Sequence, residues 1–445
     1  MIEKVLIANR GEIALRIIRA CRELGIKTVL VYSTADRDSL PVKMADQAVC
    51  IGPPESRESY LNVPSILAAI EVTDADAVHP GYGFLAENAA FAEICENYGI
   101  TFIGPPSDVI RLMGNKIEAR KAVAAAGVPI LPGSEGPVTE EDEGLEIAKK
   151  IGFPVIIKAA AGGGGRGMKI VHSPATFINA FLTSQSEALS AFGVPDVYIE
   201  KYFEDARHVE VQVLADSQGN VIHLGDRDCS IQRRHQKLIE EAPAPGIPQR
   251  VRKKIHQAAV EAARAVGYVN AGTVEFLYTG DGSFYFLEMN TRIQVEHPVT
   301  EMVTGVDIVR EQINIAAGRK LKLKQENVKP HGHAIECRIN AEDPEKFTPS
   351  PGLVKRVYFP GGFGVRVDTA ITNDYVIPAV YDSLIAKVIV WGGDRKDAIS
   401  RMRRALTETI VDGVKTTVPL HLRILSDADF VEGKLNTRFL EKYGL

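Results

Sequence analysis

From Thr273 to Pro298 the chain reads Thr-Val-Glu-Phe-Leu-Tyr-Thr-Gly-Asp-Gly-Ser-Phe-Tyr-Phe-Leu-Glu-Met-Asn-Thr-Arg-Ile-Gln-Val-Glu-His-Pro, and no other stretch restricts the fold so narrowly. Two runs of β-branched and aromatic residues flank a Gly-Asp-Gly turn, which predicts an antiparallel hairpin. A loop over 280–283 pairs Thr279 with Phe284, Leu277 with Phe286 and Glu275 with Glu288, placing the two carboxylates on one face. At about 5 Å they repel by roughly 3 kcal/mol at an effective dielectric near 20, so the pair calls for a counter-cation. Oxygen-only ligands suit Mg²⁺.

Beyond Glu288 the polar residues keep a period of two: Asn290, Arg292, Gln294 and Glu296 alternate with Met289, Thr291, Ile293 and Val295. Extended backbone puts these groups on one side. An ordinary half-exposed strand has the same pattern, but the apolar run Phe284 to Leu287 before it reads as a strand buried on both faces. Such a strand would deliver acids, an amide and a guanidinium into one interior metal and anion site.

The N-terminal region reads as a parallel α/β sheet. Lys4-Val-Leu-Ile-Ala opens a strand, Ile13, Ala14, Ile17, Ile18, Cys21 and Leu24 mark a helix closed by Gly25, and a second strand follows from Lys27. Alternation continues to about Ile103, the signature of a parallel sheet with crossover helices. The first turn, Asn9-Arg10-Gly11-Glu12, lacks the Gly-x-Gly-x-x-Gly of a dinucleotide site, and Asp36 reads as a turn residue. A later strand ends in His79-Pro-Gly-Tyr-Gly-Phe, where Gly81 and Gly83 suit either a ligand contact or plain turn chemistry.

Phosphate chemistry is suggested further on. Lys158-Ala-Ala-Ala-Gly162-Gly-Gly-Gly165-Arg-Gly167-Met168 sets four glycines between two apolar runs, and their bare N–H groups can wrap phosphate oxygens. A strand and not a helix follows, so this is a strand-loop-strand lid and not a Walker A loop; a passive flexible loop is the competing reading. Lys158, at the end of its strand, faces the same region and reinforces the loop as a phosphate binder, whereas Lys116, leading into an Ala-rich helix, reads alone as a solvated helix-start lysine. His208, Glu210 and Gln212 share one face of a strand. The run Gln232-Arg-Arg-His235-Gln-Lys237 is dense in cations and fits either a solvated face or an anionic substrate. An amphipathic helix is expected over about 304–318, strands from His333, and a helix over 395–410.

Composition excludes several classes. With 45% hydrophobic and 24% charged residues in 445, the chain is an ordinary globular enzyme of two or three domains. A net charge of −5 gives no case for nucleic acid, and no apolar run nears the ~20 residues of a membrane span. Five widely spaced cysteines and an N-terminus that reads as a strand fit a reducing cytoplasm.

Together these segments resemble the biotin carboxylase family of ATP-grasp enzymes, most specifically in Glu288-Met-Asn-Thr-Arg-Ile-Gln-Val-Glu-His-Pro, and also in Ile7-Ala-Asn-Arg-Gly-Glu, His79-Pro-Gly-Tyr-Gly-Phe, the 162–168 loop and Glu241-Ala-Pro-Ala-Pro-Gly. The resemblance implies an α/β and α+β multidomain ATP-grasp fold: a Rossmann-like domain over 1–114, an ATP-grasp region over 115–330 with a glycine-rich lid at about 131–203, and a C-terminal mixed β/α domain over 331–445. It implies ATP-dependent formation of carboxyphosphate from bicarbonate and carboxyl transfer to biotin. ATP phosphates fall to Lys116, Lys158, Gly164, Gly165, Met168, His208, Gln232 and His235, and adenine to Glu200, Lys201 and Phe203. Two Mg²⁺ (or Mn²⁺) fall to Glu275, Glu288 and Asn290, and bicarbonate to Lys237, Arg292, Gln294 and Val295. Biotin falls to Tyr82, Gly83 and Arg338. Glu296 is the expected base, with Arg292, Arg338 and Lys237 as its catalytic partners. The chain shows no lysine between two methionines, so biotin is expected on a separate carrier protein, with separate carboxyltransferase subunits, as in a bacterial-type acetyl-CoA carboxylase. A pyruvate carboxylase subunit is the near rival; a silent nucleotide sensor or a peptide-type ligase on the same fold are the distant ones. The resemblance also implies a homodimer, with Arg16, Arg19 and Phe363 at the contact.

Overall fold

Strand β1 (Lys4–Ile7) is apolar and buried, and the helix Gly11–Glu23 lays Ile13, Ile17, Ile18 and Cys21 into the same core. Gly25 then turns the chain at φ +72°, a conformation that costs other residues strain, into β2 (Lys27–Ser33). The alternation adds β3 (Gln47–Gly52), β4 (Ala77–His79) and β5 (Thr101–Phe102), all pairings parallel, in the order β3-β2-β1-β4-β5. Strand order reverses between β1 and β4, so the turns after these two strands flank a crevice of the kind in which open α/β sheets bind ligands. Asn9 spans it, its amide Nδ2 donating to the carbonyls of Pro80 and Tyr82 at 2.7 Å each. Asp36 lies in the single 3-10 turn after β2, as expected, but its side chain is also buried and accepts from Arg10 Nε (2.7 Å) and the Tyr60 hydroxyl (2.7 Å).

The computed structural model describes residues 2–159, 168–192, 194–234 and 236–444. After the helices Ser107–Gly114 and Lys116–Ala125, a small lid is built from β6 (Val155–Ala159), β7 (Lys169–Val171) and β8 (Val197–Lys201), with β6 central. Helices Glu141–Ile151 and Pro174–Phe192 cover it, burying Val155, Ile157, Phe177, Phe181, Val197 and Ile199.

The remaining strands are β9 (Arg207–Ala215), β10 (Val221–Arg233), β11 (Gln236–Ala242), β12 (Asn270–Tyr278), β13 (Phe284–Asn290), β14 (His333–Asn340), β15 (Gly352–Val354), β16 (Arg356–Tyr358), β17 (Val365–Thr369), β18 (Tyr375–Ile377), β19 (Leu384–Gly392) and β20 (Ile410–Asp412). Eight of them form one antiparallel sheet, β13-β12-β9-β10-β11-β14-β19-β17, which runs without a break from the region before residue 330 into the region after it. Helix Gln249–Ala265 packs on its β9-β10 part, and helix Arg395–Glu408 packs on β14 and β19.

The hairpin forms with Glu275 opposite Glu288, but its pairs towards the turn are Phe276 with Phe286, Leu277 with Tyr285 and Tyr278 with Phe284. A bulge at Leu287 absorbs the one-residue offset from the expected register. In an unbulged strand Phe286 and Glu288 would share a face; the bulge lets Phe286 pack against Phe276 while Glu288 stands beside Glu275. Strand β13 is also not buried on both faces: it is the edge of the sheet, with Phe284 and Phe286 buried and Tyr285 and Leu287 half-exposed. Pro129 covers that edge, its carbonyl accepting from Phe286 N at 2.7 Å. The strand stops at Asn290, so residues 291–296 are not the extended continuation that alternation predicted; the helix expected over about 304–318 forms over Ile308–Ala316, and an unexpected helix, His297–Thr304, precedes it and ends at Gly305 (φ +69°).

Candidate active site

Three strands bring acids to one face of the sheet, and a fourth brings a lysine. Glu275 on β12 lies opposite both Glu288 on β13 and Glu210 on β9, and Lys237 on β11 reaches across to them. The Lys237 ammonium donates to Glu296 Oε1 (2.6 Å), Glu210 Oε2 (2.7 Å), Glu275 Oε1 (3.1 Å) and Gln294 Oε1 (3.3 Å). Four acceptors compete for three hydrogens, so one is free to be exchanged for a substrate oxygen. Burial raises the Glu275 carboxyl, but Lys237 and His208, whose Nε2 is 2.9 Å from Glu275 Oε2, outweigh it and hold Glu275 well below the usual range. His208 is raised: burial opposes its charge, and Glu275 more than compensates.

Glu288 behaves oppositely. Burial and the adjacent Glu275 push its carboxyl up, and it is exposed where Glu275 is only 6% exposed. An open carboxylate destabilised by a committed neighbour, with the Asn290 amide next to it, is an oxygen set that a hard divalent cation relieves. His208, Glu210 and Glu275 also offer three donor atoms within 4.8 Å of one another, but Lys237 already occupies the two carboxylates. The residues present therefore fit Mg²⁺ best on the Glu275–Glu288–Asn290 side.

Glu296 is fully buried at the start of helix His297–Thr304. Besides Lys237 it binds Arg338 on β14, whose NH2 donates to Glu296 Oε2 at 2.9 Å and whose Nε donates to Glu240 Oε1 at 2.6 Å. Burial would raise Glu296, but Lys237, Arg338 and Arg227 together hold it far below the usual range, so it is ionised at neutral pH. Arg292 lies apart from this pair. Its Nε donates to Glu87 Oε2 (2.9 Å) and its NH2 to Asn290 Oδ1 (3.3 Å). Gln294 donates to Glu275 Oε1 at 2.9 Å, and the Val295 carbonyl is anchored by Lys387 at 2.9 Å, which leaves the Val295 amide beside Glu296. Residues 290 to 296 thus converge through separate anchors and not through one extended strand.

Towards the lid, Lys116 lines a cavity of about 200 Å³ with Glu87, Glu288 and Asn290. Lys158 on β6 donates to Glu200 Oε2 on β8 at 2.6 Å, and Glu200 also accepts from Arg120; the two cations outweigh burial and lower the Glu200 carboxyl. The Lys201 ammonium is taken up by the carbonyls of Gly152 and Phe153 (2.9 Å each), so only its backbone and neighbours can face a ligand. Phe203 stacks on Tyr285 with ring centroids 5.4 Å apart. Gln232 pairs with Lys237 near the β10-β11 turn, and Met168 is half-buried at the lid loop's end. Gly164, Gly165 and His235, expected at the phosphates, lie outside the described residues.

Tyr82 and Gly83 lie in the turn after β4. The Tyr82 hydroxyl donates to Glu12, and Gly83 is exposed at φ +68° with open space around it. Gly81 has the closer constraint: an added Cβ would meet Asn9 Nδ2 at 2.9 Å. For the dimer contact, Arg16 is already paired within the chain, to Glu301 (3.0 Å) and Asp307 (2.5 Å), whereas Arg19 is exposed and Phe363 is 79% exposed.

Sequence reasoning missed Glu210, Glu240 and Glu87. Glu210 carried a signal, the shared polar face of His208, Glu210 and Gln212, which the register Glu275–Glu210 turns into contact. Glu240 and Glu87 carried none, because their partners, Arg338 and Arg292, lie 98 and 205 residues away.

A lid hinged over the edge of an antiparallel sheet, with lysines on one side and paired acids on the other, defines an ATP-grasp enzyme. Residues 115–324 match the family of the carbamoyl-phosphate synthase L chain ATP-binding domain, residues 1–110 the biotin carboxylase N-terminal domain and residues 336–442 the biotin carboxylase C-terminal domain. The chain belongs to the biotin carboxylase family. It is 60% identical to the biotin carboxylase of Pseudomonas aeruginosa over 443 residues, 99% of this chain and 98% of the relative. It is 56% identical to a pyruvate carboxylase subunit of Methanothermobacter thermautotrophicus over 444 residues, 100% of this chain and 90% of the relative. Its structure superposes with a TM-score of 0.93 and 52% identity on the biotin carboxylase domain dimer of the Hydrogenobacter thermophilus 2-oxoglutarate carboxylase, solved with MgADP and bicarbonate, covering 100% of this chain and 98% of that one.

Proposed function

We propose that this chain uses ATP and bicarbonate to carboxylate biotin borne on a carrier protein, the first half-reaction of an acetyl-CoA carboxylase. The observation that carries this reading is Glu296, a buried carboxylate held between Lys237 and Arg338 at 2.6 and 2.9 Å. A base so placed deprotonates bicarbonate only where cations and amide donors also hold the resulting dianion, roles that fall to the cations Lys237 and Arg292 and the neutral amide of Gln294. Glu275, Glu288 and Asn290 would hold magnesium, which would supply charge neutralisation for the transferring phosphoryl group. Lys116 and Lys158 then position the phosphates with Gly164, Gly165, Met168, His208, Gln232 and His235, and Glu200, Lys201 and Phe203 frame the adenine. Substrate anions draw Lys237 and Arg338 off Glu296, which raises its basicity when the proton must move. Arg338 is left to hold the ureido oxygen of biotin, with Tyr82 and Gly83 beside it.

The domain limits 1–114, 115–330 and 331–445 go with this reading, as do a carrier protein, carboxyltransferase subunits and a cytoplasmic location; no helix among the described residues is long and apolar enough to cross a membrane. A homodimer is supported by the dimer of the 2-oxoglutarate carboxylase domain, with Arg19 and Phe363 as free contact residues. The archaeal pyruvate carboxylase relative supports a second final acceptor, pyruvate in place of acetyl-CoA. The test is ATP cleavage with and without bicarbonate, free biotin and Mg²⁺, in wild type and Arg338→Ala. The variant is expected to lose biotin-stimulated cleavage about 10²-fold while keeping most bicarbonate-dependent cleavage. Equal losses in both, or cleavage indifferent to biotin and magnesium, would overturn the proposal.

A further inference from the structure

Behind Arg338 lies a second pair of acids that the reaction above does not use. Antiparallel pairing of β11 with β14 sets Glu240 directly opposite Glu336, and both are 0% exposed. Directly opposed residues of such a ladder share a face with Cβ atoms about 4.5–5.5 Å apart, so the two carboxyl groups are neighbours. Among the described residues neither oxygen of Glu336, nor Oε2 of Glu240, has a hydrogen-bond partner; only Glu240 Oε1 is taken, by Arg338 Nε at 2.6 Å and Arg338 NH2 at 2.5 Å. Two adjacent carboxylates with three bare buried oxygens cannot both carry full charge.

The nearby cation does not resolve this. Lys387 on β19 is committed to Glu12 Oε1 (3.0 Å) and the Val295 carbonyl (2.9 Å). The other titratable or charged groups acting on Glu336 are Arg338 on its own strand, Glu296 at the start of helix His297–Thr304, and Tyr82, whose hydroxyl burial and Glu12 hold well above its usual range. Helix Arg395–Glu408 packs on the opposite face of β14, where its Arg395 pairs with Glu241.

We propose that Glu240 and Glu336 hold one proton between them and act as a positioning pair for Arg338. Neutral Glu336 donates its O–H to Glu240 Oε2. Glu240, still a carboxylate, keeps Arg338 Nε and shares the NH2 arm with Glu296, which leaves the rest of the guanidinium for the substrate. Burial pushes Glu336 well above the usual carboxyl range and Glu240 up to about 7, in keeping with a retained proton. Loss of that proton in alkali sets two full negative charges against Arg338 and draws it towards the β11-β14 pair, away from Glu296.

The inference rests on the carboxylase reading, and its test separates the two. Infrared difference spectra of the wild-type protein at about pH 8, where ordinary carboxyls are ionised, are expected to keep a deuterium-sensitive protonated-carboxyl stretch that Glu336→Gln removes. This needs no turnover; absence of the band in wild type, or its persistence in the variant, overturns the shared proton. In assays, wild-type biotin-dependent cleavage is expected to fall about tenfold between roughly pH 7 and 9 while bicarbonate-only cleavage holds. Glu336→Gln, whose amide donates permanently, is expected to lose that alkaline fall. A variant profile that superimposes on wild type overturns the positioning role. Absence of any biotin-stimulated cleavage in wild type would instead sink the carboxylase reading and leave the infrared result standing.

Discussion

Glu296 presents a conflict between being charged and being basic. Lys237, Arg338 and Arg227 outweigh its burial and hold the carboxyl so far down that it is never protonated in the resting enzyme, yet a base that weak takes no proton from bicarbonate. The conflict resolves if its cations have better partners once substrate binds. Lys237 already divides three hydrogens among four acceptors, and Arg338 divides its fork between Glu296 and Glu240. Glu296→Gln keeps the side-chain volume and the acceptor oxygen for Lys237 but cannot accept the proton. Turnover with bicarbonate and biotin is expected to fall about 10²- to 10⁴-fold, while nucleotide binding by equilibrium dialysis stays within about twofold of wild type. Unchanged turnover would remove Glu296 as the base.

At the scale of elements, the hairpin β12-β13 is where a site acid and a core aromatic are fixed by the same few residues. Phe276 is fully buried and meets Phe284 and Phe286 edge-on, with centroids 5.6 and 6.5 Å away, and its chain neighbour is Glu275. Phe276→Ala is expected to cost about 3–5 kcal/mol by cavity formation. Because the bulge at Leu287 has its register set by that aromatic stack, the same change is expected to raise the magnesium concentration needed for half-maximal ATP cleavage; a destabilised variant with unaltered magnesium dependence would show that the acids keep their places without the stack. The hairpin also shows what a sequence discloses. Its turn, its strands and the meeting of Glu275 with Glu288 were legible, because turn chemistry and period-two alternation are local. The bulge was not: it arises from the competition between a core demanding Phe286 and a site demanding Glu288. The parallel N-terminal sheet was legible for the same local reasons. The continuation of one sheet from β11 to β14 was not, since Glu241 pairs with Ile335, 94 positions further along the chain. Among the residues that the structure brings together around Lys237 and Arg292, those in dense motifs were legible as candidates, while Glu87 and Glu240, isolated in sequence and defined only by distant arginines, stayed silent.

Across the whole molecule, ion pairs formed by distant residues hold the three regions around the site. Arg10 stacks on Tyr381 with its guanidinium carbon 4.1 Å from the ring centre while it pairs with Asp36, which ties the N-terminal sheet to the C-terminal region. Glu241 does the same between β11 and the C-terminal helices: its Oε2 accepts from His333 Nε2 and Arg395 Nε at 2.7 Å each, and Arg395 also caps the carbonyls of Phe430 and Val431. Burial alone would raise this carboxyl, but His333 and Arg395 outweigh it and bring it down to about 2. A folded-state value below the unfolded one stabilises the fold at pH above the ordinary carboxyl range, and the gain is lost as pH falls from about 4.5 towards 2. The displacement corresponds to about 3 kcal/mol at neutral pH. Glu241→Gln is therefore expected to lower stability against denaturant by about that amount at pH 7, and the gap to wild type should narrow steadily through the acid range as the wild-type carboxyl takes up its proton. A gap that stayed constant down to about pH 3 would assign the loss to packing and not to charge, and would leave the C-terminal helices held by their apolar contacts with β14 and β19 alone.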